Sequence, residues 1–137
     1  MCPRPSAAPA ARPAITDVER LERLAASRVA ALEALTRASG ADSLCTLSRE
    51  QLPAAKYHEG AVAALGDALR AARRGDPEPD PAHWGAAFAA RAETDPSWRV
   101  YLVGGRDALT RLATTVSAPA APAGDAAPRL APAAVTR

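Results

Sequence analysis

Lysine occurs once in this chain of 137 residues, phenylalanine once, and cysteine, histidine, tryptophan and tyrosine twice each. The cysteines are Cys2, in a proline-rich N-terminal stretch, and Cys45, and neither belongs to a CxxC or Cys/His spacing. That rules out a disulfide framework and a zinc site. His58 and His83 with scattered acids do not make another metal site, and no cofactor is expected. No apolar run is long enough to span a membrane. The opening MCPRPSAAPAARPA also lacks the apolar core of about 7 to 15 residues that a secretory signal needs, so a cytoplasmic protein without membrane attachment is expected. The net charge is only +2, and a segment-by-segment tally yields no strongly basic or acidic face.

Alanine, proline and arginine are abundant instead. Sixteen of the seventeen basic residues are arginine, which together with the alanine and proline excess resembles the codon bias of a high-GC bacterial genome more than a selected surface. Large apolar residues number 24 between Ile15 and Val116, enough for one modest core and too few for two. Residues 1 to 14 and 117 to 137 are Ala/Pro-rich and nearly free of large side chains. They cannot bury enough surface to offset chain entropy, so they are expected to be disordered tails around a single helical domain at 15 to 116.

Four helical segments follow from the punctuation. TDVE carries a capping box in Thr16 and Glu19, and Gly40 supplies a left-handed stop. Between them Val18, Leu21, Ala25, Leu32 and Leu35 form a seam spaced by threes and fours, widened by Leu24 and Val29 and interrupted by Arg28. A second helix takes Pro53 in its first turn and ends at Gly75. His58, Val62, Leu65, Leu69 and Ala72 form its seam, and Gly60 and Gly66 mark either weakness or close helix contact. DPAHW and DPSW open a third and a fourth segment with Asp at the cap and Pro at the first helical position. Trp84 and Phe88 share a face of the short third helix. In the fourth, Trp98, Leu102, Gly105, Leu109, Leu112 and Val116 make the seam. RVYLV at 99 to 103 has strand-forming residues, but a lone strand has no partner, so helix is preferred. The fold expected is all-α: a long antiparallel helical hairpin plus a short and a longer helix.

The densest chemistry lies in KYHE, Lys56 to Glu59. At about 100° per residue, His58 stands about 160° from Lys56, whereas Glu59 is only about 60° from Lys56. The four groups therefore divide: His58 joins the packing seam, Lys56 and Glu59 share an outer face, and Tyr57 sits at the border. A Cys45–His58 nucleophile and base pair would lack an orienting third residue and an oxyanion site, so no catalytic residue is assigned. Arg70, Arg73 and Arg74, with Arg99, Arg106 and Arg111, could contact nucleic acid, but Asp76, Glu78 and Asp80 follow the first group directly and would repel phosphate. Trp84, Phe88, Trp98 and Tyr101 gather four of the chain's five aromatic residues within 18 positions, for a core or for a partner anchor.

The composition and patterning point to a non-catalytic helical interaction or regulatory module that binds a protein partner or itself. The alternative is a small-molecule or enzymatic bundle with a pocket around Tyr57, His58, Trp84 and Trp98, and a DNA-binding regulator stands third. Candidate contacts are Lys56, Tyr57, His58, Glu59, Trp84, Trp98 and Tyr101.

Overall fold

The computed structural model describes residues 16–40 and 42–117. The tails expected over 1 to 14 and 117 to 137 lie outside the described residues, apart from Ser117. Four α-helices follow in order: α1 (Asp17–Ser39), α2 (Leu52–Arg74), α3 (Ala89–Thr94) and α4 (Pro96–Ser117), with a 3-10 turn at Ala86–Phe88 leading into α3. No strand occurs among the described residues, and 99–103 is helix within α4.

Helix α1 starts on the expected capping box. The Glu19 N–H donates to Thr16 Oγ1 at 3.2 Å, and the Thr16 N–H donates back to Glu19 Oε2 at 3.0 Å. The hydrogen bonds from the Thr16 backbone and then its side chain hold the Glu19 carboxyl below its ordinary 4.5. A depressed folded value means that the cap contributes fully above the ordinary glutamate range and is lost as pH falls through the lowered value. Glu19→Gln should therefore flatten the acid limb of a melting-temperature profile relative to the parent protein. Equal slopes in the two proteins would remove this carboxylate from the acid response.

Of the seam expected for α1, Leu21, Leu24 and Leu35 pack into the bundle, whereas Val18, Ala25, Val29 and Leu32 do not. Leu24 is the only buried α1 side chain, at 1 % exposure, with Leu21, Arg28, Ala31 and Leu35 half-buried beside it. Val18, Ala25, Val29 and Leu32 face outward. Both stripes have the spacing of a packing seam. The bundle uses the one in which Leu24 joins Leu65 and Leu69 of α2, and early α1 meets late α2 in an antiparallel hairpin closed by Arg20 Nε to Glu78 Oε1 at 2.7 Å.

Helix α2 is the central element, packed against α1 on one side and α4 on the other. Alanine and glycine line it: Ala55, Gly60, Ala61, Ala64, Gly66, Ala68 and Ala71 are all buried. The reason is a close crossing with α4. A Cβ placed on Gly60 would run into the backbone carbonyl of Tyr101, and a Cβ on Gly104 would run into that of Tyr57. Each helix thus contributes Tyr-x-x-Gly, YHEG at 57–60 and YLVG at 101–104, and each glycine receives the other helix's tyrosine carbonyl. The two contacts are related by a local two-fold.

The connection from α2 to α3 departs from expectation. DPAHW forms turns, not the start of a helix. Asp80 still caps, with Oδ1 accepting from the Ala82 N–H at 2.9 Å, but Gly85 adopts φ 75° and prevents propagation. The turn lays the Trp84 ring on α4, where Gly105 has no side chain to oppose it. DPSW behaves as expected: Asp95 Oδ1 accepts from the Ser97 N–H at 2.8 Å and Pro96 is the first residue of α4.

Candidate functional site

The rotation of α2 sends the four groups of KYHE to different neighbours. Lys56 Nζ lies 2.7 Å from Glu59 Oε2 and 5.8 Å from the centre of the Trp98 ring, so these two charges share the aromatic side of the bundle. Tyr57 donates from its hydroxyl to Asp107 Oδ2 at 2.8 Å, and Arg111 Nη2 donates to the same hydroxyl at 3.4 Å. His58 points away from that side. Its ring meets Tyr57 edge-on at 5.4 Å and faces a groove between α1 and α4.

That groove, of about 320 Å³, has α2 as its floor and α1 and α4 as its walls. Alanine is its commonest lining residue, from Ala30, Ala31 and Ala34 on α1, Ala61 on α2 and Ala108 on α4, with Leu65 and Leu112 beside them. Ser27, His58, Arg111 and Thr115 supply its polar groups. Small side chains on both walls leave a channel that another helix ridge could approach closely.

On the opposite side of α2 the four aromatic residues form one cluster. Phe88 stacks on Trp98 at 4.9 Å, and Tyr101 contacts Trp84, Phe88 and Trp98 at 5.6, 6.0 and 5.2 Å. Trp84 is buried, and its indole N–H donates to Asp67 Oδ2 at 2.9 Å; Asp67 also pairs with Arg70. Trp98 is half-buried, with the Arg91 guanidinium 5.2 Å from its ring centre. Burial, followed by the charges of Glu59 and Asp67, raises the Tyr101 hydroxyl above its ordinary value, so it stays protonated at neutral pH. A second groove of about 490 Å³ runs over this cluster between Arg28, Glu59, Asp67 and Arg70.

Lys56, Glu59, Trp84, Trp98 and Tyr101 are therefore brought together, while His58 lines the alanine groove and Tyr57 bridges to α4 at the border. His58 lines the groove between α1 and α4, whereas Trp84 lines the groove over the aromatic cluster. Cys45 is exposed in the turn before α2 and makes no hydrogen bond with His58. His83 pairs with Asp80 at 2.6 Å on the surface, and this bond is the main cause that holds the Asp80 carboxyl below its ordinary value. Among the described residues no group of three His, Cys, Asp or Glu side chains could hold a metal ion, and no helix is long and apolar enough to cross a membrane. Arg70 and Arg74 are already paired, with Asp67 and Asp76, and Arg106 donates to the Trp84 carbonyl at 3.3 Å.

Sequence reasoning did not single out Asp67, Asp107 or Gly104. Asp67 could have been suspected as an acid between Gly66 and Ala68 on a mostly apolar helix, because such a group needs a buried donor. Gly104 left its signal in the repeated Tyr-x-x-Gly.

The chain matches no protein-family model, no curated protein and no solved structure. The arrangement defines a class, an antiparallel helical bundle with an aromatic side and an alanine-walled groove.

Proposed function

We propose that the chain is a non-catalytic helical interaction or regulatory module that acts in the cytoplasm by contact with a protein surface. One observation carries this reading: Val18, Val29 and Leu32 on the outer side of α1 are 64, 54 and 40 % exposed, in line with the exposed Ala25. An amphipathic helix that turns a regular apolar stripe to water, while only one of its side chains is buried, is built to be covered. The ionisable groups support the same reading. Lys56, Glu59, Arg74, Asp76, Asp80 and His83 are engaged in surface pairs and Glu19 in a cap, and among the described residues no nucleophile stands beside an oriented base. The alternative of a single ligand pocket draws no support from the geometry, because its four residues are divided between different faces.

Val29→Glu with Leu32→Glu tests the proposal. Both positions are exposed, so the stability of the domain should change by less than about 1 kcal/mol in urea unfolding. Tagged wild-type protein in a lysate of the source cells should recover a stoichiometric protein that the double variant fails to recover. Recovery of the same proteins by both would count against an interaction role for this stripe.

A further inference from the structure

We propose that the surface covering the α1 stripe is a second copy of this chain: the outer side of α1 from one copy seats in the alanine groove between α1 and α4 of the next. The inference rests on the interaction reading and names its partner.

Three features carry it. The first is shape. The stripe is a helix ridge with Val18, Ala25, Val29 and Leu32 at spacings of seven, four and three, and the groove is walled by alanines that let a helix approach. The second is charge. Glu22 lies within the stripe and Glu33 on its flank, and neither pairs with a described residue. In the groove, Arg111 and His58 likewise have no carboxylate partner among the described residues. One acid therefore lies in the apolar ridge and another on its flank, while the Arg111 guanidinium, which donates only to the Tyr57 hydroxyl, and the His58 imidazole edge the apolar channel. Complementarity of this kind sets partner and orientation more than it sets affinity.

The third feature is the failure of the simpler pairing. Two α1 stripes packed on each other in parallel would set Glu22 opposite Glu22. Packed antiparallel, they would turn the side of the stripe that carries Glu22 and the neighbouring Glu33 onto its own copy. Both arrangements desolvate like charges, and the groove does not. Ala30, on the groove wall, lies about 100° around α1 from Val29, so one copy can donate its stripe and accept another at once. The contact is heterologous, and its repetition gives a ring or an open row, not a closed two-fold dimer.

Sedimentation velocity on the whole chain tests this with two variants. Val29→Glu with Leu32→Glu removes the donor surface, and Ala30→Trp fills the acceptor groove from an exposed position that leaves the fold intact, as circular dichroism can verify. Wild-type mass should at least double as concentration rises, each variant alone should sediment as a monomer, and an equimolar mixture should form a one-to-one pair. A wild-type monomer at up to about 1 mM, where contacts of about 4 kcal/mol still register, overturns the proposal. So does a wild-type oligomer whose two variants fail to pair when mixed, because that pattern belongs to a self-complementary interface. A monomeric wild type leaves the broader module reading to be judged by the capture comparison, which fails on different data.

Discussion

Gly104→Ala should destabilise the domain by about 2 kcal/mol or more, although the same substitution in an isolated helix would stabilise it by roughly 1 kcal/mol. The sign is decided by what the new methyl meets. At Gly104 it meets the Tyr57 carbonyl, a backbone atom already fixed in the hydrogen-bond ladder of α2, so it can be accommodated only if the two helices separate. Separation also loosens Ala61, Ala64 and Ala108, whose contacts depend on the same short distance. Gly60→Ala should behave alike, for the reciprocal reason. Gly66→Ala is the control: its Cβ would lie 3.3 Å from Nε of the Arg28 side chain, which can shift, so the helix-propensity gain should survive. Urea unfolding of the three variants measures the contrast. A Gly104→Ala protein as stable as the parent would sink the close crossing.

Replacing Trp84 should cost more. Trp84→Ala is expected to lose about 3 to 5 kcal/mol, the range for emptying a buried aromatic site. The ring is 7 % exposed, fills the space over Gly105 and carries the N–H that binds Asp67. No neighbour can collapse into the void easily, because the wall opposite is glycine backbone. Trp84→Phe should keep most of the packing and lose the hydrogen bond, at a smaller cost of about 1 to 2 kcal/mol, since Asp67 retains Arg70. The difference between the variants, read from urea midpoints with Trp98 as the remaining fluorophore, separates packing from hydrogen bonding. Equal losses for Phe and Ala would mean that the Asp67 contact dominates.

What could be read in advance was local. The Thr16/Glu19 box, the Gly40 and Gly75 stops and the Asp95–Pro96 start each involve groups within a few residues, so their chemistry is complete in the sequence. The division of KYHE was legible for the same reason, as it needs only the helical rotation. The packing side of α1 was legible only in part, through Leu21, Leu24 and Leu35. Val18/Ala25/Leu32 and Leu21/Leu24/Arg28/Ala31/Leu35 both satisfy helical periodicity, and the choice between them is made by α2, whose small side chains receive Leu24. Asp80 likewise announced a cap without revealing that Gly85 would break the helix five residues later. Gly60 and Gly104 carry a propensity cost that sequence shows, but the carbonyl that explains each of these two lies more than forty residues away.

The paired Tyr-x-x-Gly contact has a further effect on alignment. Sliding α4 along α2 by a turn, in either direction, moves both glycines off their carbonyls at once. Two alanine-rich helices, whose smooth surfaces would otherwise tolerate many offsets, are thereby held in a single frame, and Trp84, Tyr57 and Arg111 all take their positions from it.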